Sequence, residues 1–118
     1  MLKTALMCLA LTVYHESRGE TLKGQFAVAE VVMNRVEQRD KTVCQVVKEN
    51  RQFSWVRRWD RKIPDNKEWE QAVNIAELTL KGIDHDYIGS RAYFKKYVRP
   101  TKVKSAIRIG KHVFHAED

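Results

Sequence analysis

Leu2, Leu6, Leu9 and Val13 recur at alternating steps of four and three, the spacing of one face of a helix. The pattern predicts a helix from about Leu2 to Arg18, with Gly19 as its stop. A second helix is predicted from Thr21 or Lys23 to Gln38. Phe26, Ala29, Val32, Met33 and Val36 form its apolar face, and Gly24 allows close helix packing. Thr42 is placed as the N-cap of a short helix through Lys48 that turns Val43, Val46 and Val47 inward. From Glu49 to Asn66 the pattern dissolves into Gln52-Phe53-Ser54-Trp55, a basic run and Pro64-Asp65-Asn66, a loop long enough to suggest function. Asp65 or Asn66 then caps a helix up to Lys81. Its stripe is Trp69, Ala72, Val73, Ala76 and Leu80, and Gly82 ends it.

Beyond Gly82 the period shortens. Arg91-Ala92-Tyr93-Phe94 reads as a strand. Val103–Ile109 and His112–His115 flank Gly110-Lys111, a two-residue connection with glycine first that suits a type II′ hairpin. Helices first and a small antiparallel element last make the class α+β. At 118 residues the chain, 1–118, holds one core and is too short for two.

Composition adds a partner class. The net charge of +7 is high for this length and points to a polyanion: nucleic acid, an anionic membrane surface or an acidic wall polymer. No stretch is long and apolar enough to span a membrane. Lys3 and the apolar run to Val13 resemble a signal peptide. No small-residue cleavage site follows, so the segment is read as a retained helix in a protein made in the cytoplasm. Cys8 and Cys44 can pair, but two cysteines alone fix neither bonding nor compartment; for a protein made in a cytoplasm, free buried thiols are expected.

The candidate chemistry lies in Tyr14-His15-Glu16-Ser17-Arg18-Gly19-Glu20. Glu16 is the next position on the apolar face of the first helix and sits in that helix's last turn. Burial and the unpaired carbonyls at the helix end both favour its protonated form. It is therefore the candidate proton donor.

The run Cys8 to Glu20 resembles the signature of the SleB-like cell wall hydrolases, the spore-cortex-lytic type. The similarity continues through Gly24–Ala29, Val31–Val36, Val43–Val47, Gln52–Trp55 and Arg108–Phe114, in family order. It departs between Ser90 and Ala106, where Arg91-Ala92-Tyr93-Phe94 and a Pro100 with no tryptophan after it replace the usual run. The resemblance implies a lysozyme-like fold and cleavage of peptidoglycan between N-acetylmuramic acid and N-acetylglucosamine. It also implies that the glutamate at position 16 is the catalytic acid.

Glycosidases usually need a second carboxylate. Glu20 is the nearest, but a place at the start of the second helix explains it as well. Glu30 lies inside that helix with nothing to single it out. A lytic transglycosylase needs only Glu16, because the muramic acid's C6 hydroxyl is the nucleophile. A water-using muramidase with Glu20 is the alternative. Gln52, Ser54 and Tyr93, with Glu20, are the candidate substrate contacts; Phe53, Trp59 and Trp69 are expected in the core.

No metal or cofactor is expected. His15-Glu16 is followed by Gly19 where a helical His-Glu-x-x-His site needs its second histidine, and His112 and His115 should face opposite sides of a strand. Arg51, Arg57, Arg58, Arg61 and Lys62, interleaved with Trp55 and Trp59, raise a nucleic-acid-binding module as the rival from another class. The expected partner is the anionic wall rather than nucleic acid. The expected enzyme is a monomer that reaches the wall without an export signal, as a phage or prophage endolysin released at lysis would.

Overall fold

Thr4 starts the first helix: its hydroxyl accepts the Met7 N–H at 3.1 Å, and helix α1 then runs over Ala5–Ser17. This computed structural model describes residues 4–49, 63–83, 86–97 and 106–116. Every residue from Cys8 to Tyr14 is buried, because α1 packs against three further helices at once. A helix enclosed on all sides has no single apolar stripe. Leu6 is only half-buried, and at the far end Ser17, rather than Glu16, takes the buried position. The Ser17 hydroxyl donates to the Val13 carbonyl at 2.7 Å, and that of Thr12 to Cys8 at 2.9 Å, so neither costs an unmade hydrogen bond.

Local capping chemistry sets the other helices. Thr21 caps α2 (Leu22–Arg39) by accepting from Gly24 N–H. Thr42 and Gln45 exchange reciprocal bonds of 3.1 and 2.9 Å at the head of α3 (Val43–Glu49), a capping box. Asn66, not Asp65, caps α4 (Lys67–Leu80) through a 2.8 Å bond from Trp69 N–H. Ile75 joins the buried face of α4, while Trp69 is half-buried against Tyr14.

Helix α2 has two apolar faces where one was expected. Ala29 and Val32 pack into the helical core. Ala27, Val28 and Val31 form a second cluster with Ile88, Ile109 and Phe114. That second cluster roofs the sheet, in which β3 (His112–His115) lies between β1 (Tyr93–Lys96) and β2 (Ile107–Ile109), antiparallel to both. The α+β class is as expected.

The first strand begins two residues later than its pattern predicts. Side chains of α2 capture the carbonyls that a ladder would need: Asn34 donates to Gly89 and Arg91, Gln38 to Ser90, and Arg35 to Ala92. Glu30 serves the same segment, accepting the Tyr87 N–H at 2.9 Å, which accounts for a carboxylate inside the helix. The Gly110 turn has its positive φ of 60° at the glycine and none at Lys111, as a connection with glycine first requires.

Cys8 and Cys44 are bonded, which corrects the expectation of free thiols. Packing of α3 on α1 brings their Cα atoms to 5.4 Å, inside the range a disulfide spans.

Candidate active site

Where α1 ends, the chain turns through Gly19 at φ 86° and meets the β2–β3 hairpin across a cleft of about 340 Å³. Glu16, Arg18, Gly19 and Glu20 form one wall. Lys96 and Tyr97 at the end of β1, with Lys111 and His112 of the hairpin, form the other. A smaller depression of about 230 Å³ lies between Gly19, Glu20 and Gln25 and the start of α4, at Lys67, Glu68 and Gln71. The two share Gly19 and Glu20 in their linings.

The turn is held from three sides. Glu20 N–H donates to Ser17 O at 3.0 Å, and the Gln25 side chain donates to Glu20 O at 2.9 Å. The Glu20 carboxylate reaches across to the hairpin, where Oε1 accepts the Lys111 N–H at 2.8 Å. Glu20 thus joins the end of α1 to the sheet and has one oxygen committed to that task. A Cβ on Gly110 would lie 2.6 Å from that oxygen. Gly110→Ala combines this clash with a left-handed φ and is expected to destabilise the fold by about 2–3 kcal/mol. A urea titration measures it, and an unchanged midpoint would mean that the turn accepts a side chain at position 110 without cost.

His112 is buried beside Glu20, its Nδ1 3.8 Å from Oε1, beyond hydrogen-bond reach. Burial pushes its imidazole below the ordinary pKa; the Glu20 carboxylate opposes that shift and Lys96 adds to it. The imidazole is therefore neutral at neutral pH and makes no ion pair with Glu20. Its ring packs edge-on to Phe94, while His115, on the other face of β3, stacks on Tyr93.

Glu16 is half-buried at the cleft wall, not fully enclosed. Its neighbour along the helix, Tyr14, is a fixed post. The Tyr14 hydroxyl accepts from Arg18 Nη1 at 2.7 Å and from Asn66 Nδ2 at 2.9 Å, and the Arg18 guanidinium lies 4.7 Å over its ring. Of the sequence candidates, the structure brings Glu16 and Glu20 together. Tyr93 stands apart from this cleft, against His115, Arg35 and Arg39. Gln52 and Ser54 lie outside the described residues, as do Phe53, Trp59 and the basic run from Arg51 to Lys62.

Tyr97, Lys96 and Lys111 were not singled out in the sequence. Strand register brings them to the cleft: Lys96 pairs with His112, and Tyr97 N–H donates to Lys111 O at 2.7 Å. Arg108 covers the Tyr97 ring at 3.7 Å.

A family model for cell wall hydrolases matches residues 19–115. The chain belongs to that family. The cell wall hydrolase match begins just past Glu16, whose place in the site therefore rests on the structure. The fold is similar to the catalytic domain of the germination-specific lytic transglycosylase SleB from Bacillus anthracis. The TM-score is 0.71 at 32% identity, over 98% of this chain and 96% of that one. It is also similar to the catalytic domain of the Bacillus cereus SleB protein. There the TM-score is 0.68 at 31% identity, over 94% and 88% of the two chains. Comparison with curated proteins found no match.

Proposed function

We propose that this cell wall hydrolase is a lytic transglycosylase that cuts peptidoglycan between N-acetylmuramic acid and N-acetylglucosamine, with Glu16 as acid and then base. The observation that carries this reading is the unequal position of the two glutamates at the cleft. Both stand on its wall, but Glu20 has an oxygen bound to the Lys111 amide and is nearly enclosed, its side chain 11% exposed. One acid–base residue is what the lyase needs.

Glu16 gives its proton to the bridging oxygen as the bond from that oxygen to the muramic C1 breaks, and the N-acetylglucosamine end leaves as an alcohol. The Glu16 carboxylate then takes the proton of the muramic C6 hydroxyl. Its oxygen bonds to C1 and closes a 1,6-anhydro ring. No water is consumed, and Glu16 ends protonated as it began. Similarity to SleB lytic transglycosylases supports this course, and the Cys8–Cys44 bond suits a protein that works outside a reducing cytoplasm.

Mass spectrometry of digested, purified peptidoglycan tests the proposal. Anhydromuramic ends, lighter than reducing ends by one water, are expected. Reducing ends throughout would replace the lyase with a water-using muramidase and return Glu20 to the role of second carboxylate.

A further inference from the structure

Resting on the glycosidase reading above, we infer that Arg18, Lys96 and Lys111 form a carboxylate-binding site that recognises the acidic substituent on the muramic acid O3 arm. The three line the cleft beside Glu16, Arg18 on the α1 wall and the two lysines on the sheet wall. Among the described residues no carboxylate lies within ion-pairing distance of any of them. The cleft's other charged partner, Glu20, is bonded to a backbone amide instead.

Arg18 is built to receive an anion. One guanidinium nitrogen is tied to the Tyr14 hydroxyl and the group's carbon lies 4.7 Å from the Tyr14 ring centre, so the fork is restrained before ligand arrives. Lys96 and Lys111 are exposed, Lys96 at the end of β1 and Lys111 in the β2–β3 turn, and the Tyr97–Lys111 backbone bond holds the two segments together.

Three cations with no ion-pair partner among the described residues are also a cost to the chemistry. Positive charge near Glu16 favours its carboxylate, whereas the first step needs the protonated acid. Glu20 offsets part of that charge and neutral His112 none of it. A substrate carboxylate docked among Arg18, Lys96 and Lys111 would remove the imbalance as it binds, so recognition and activation of the acid would coincide. The chemistry on the glycan that fits is the free lactyl carboxylate, or the carboxylates of a stem peptide attached to that lactyl group.

Three forms of one glycan preparation separate these sources: strands bearing stem peptides, strands stripped by an amidase to the free lactyl carboxylate, and stripped strands amidated with carbodiimide and ammonia. At low salt, kcat/KM on amidated strands is expected to fall about tenfold below the better of the two acidic forms, the loss of a charge-assisted contact. Whichever acidic form leads identifies the source. With Arg18 left in place, the Lys96→Ala/Lys111→Ala double variant should cut the preference for acidic strands to about a third or less, through KM. Lys95→Ala, one residue along and on the opposite face of β1, should keep the preference. Thermal melts confirm that each variant is folded. Equal cleavage of acidic and amidated strands by the wild type, or a preference that the double substitution leaves unchanged, overturns the site and leaves the glycosidase standing. No cleavage of any strand overturns both.

Discussion

Glu16→Gln is expected to cut lysis of purified peptidoglycan by about 10²- to 10⁴-fold, the range lost when a positioned acid–base group is removed. The amide matches the carboxyl in shape, and residue 16 is only half-buried, so the fold has little reason to change. Turbidity loss of wall suspensions measures the first effect and a thermal melt the second. Both are needed, because a variant that lost activity by unfolding would say nothing about the proton. Glu20→Gln makes the informative contrast. Its carboxylate accepts the Lys111 N–H, and the amide oxygen of glutamine still can, but without the charge. The expected loss is therefore one of stability and modest activity. If Glu20→Gln were as inactive as Glu16→Gln while fully folded, the single-acid mechanism would have to give way to one with two carboxylates.

The sequence points to Glu16 by its helix end and by an apolar stripe, and the structure keeps the first and not the second. The helix end and the glycine after it are local features, and the structure keeps both. The apolar stripe is not local, because it presumes one buried side, and α1 is buried all round from Cys8 to Tyr14. In such a helix Ser17, with a hydroxyl that can bond back to Val13, fills the interior position, and Glu16 is left to the cleft. The same limit hid the second face of α2. Ala27, Val28 and Val31 look like filler between the residues of a single stripe until Phe114 and Ile109 come from more than 70 residues away to cover them. Caps were easier. Thr21, Thr42 and Asn66 act on amides three residues ahead, so the chemistry that ends each helix is written beside it. Lys96, Tyr97 and Lys111 reach the site only through strand register, and no spacing along the chain signals that.

Breaking the Cys8–Cys44 bond, by reductant or by Cys8→Ala/Cys44→Ala, is expected to lower stability by about 3–4 kcal/mol. The bond closes a loop with a sequence separation of 36, and most of its effect falls on the unfolded chain, which loses freedom when the loop is tied. For a chain of this length the loss corresponds to a fall in Tm of roughly 10–15 °C. Cys8 is fully buried in the helical core, so alanine, which leaves no unpaired hydroxyl there, is the better substitution than serine. The site itself should be little affected. Cys8 lies about two turns, roughly 12 Å, from Glu16 along α1, and the bond fastens α3 rather than the hairpin. Scanning calorimetry with and without reductant, alongside wall lysis at 25 °C, separates the two effects: a large shift in Tm and activity within about twofold below the transition. An unshifted Tm would mean that the two sulfurs are thiols in solution. A shift accompanied by lost activity at low temperature would mean that α3 helps to hold the end of α1 where Glu16 stands.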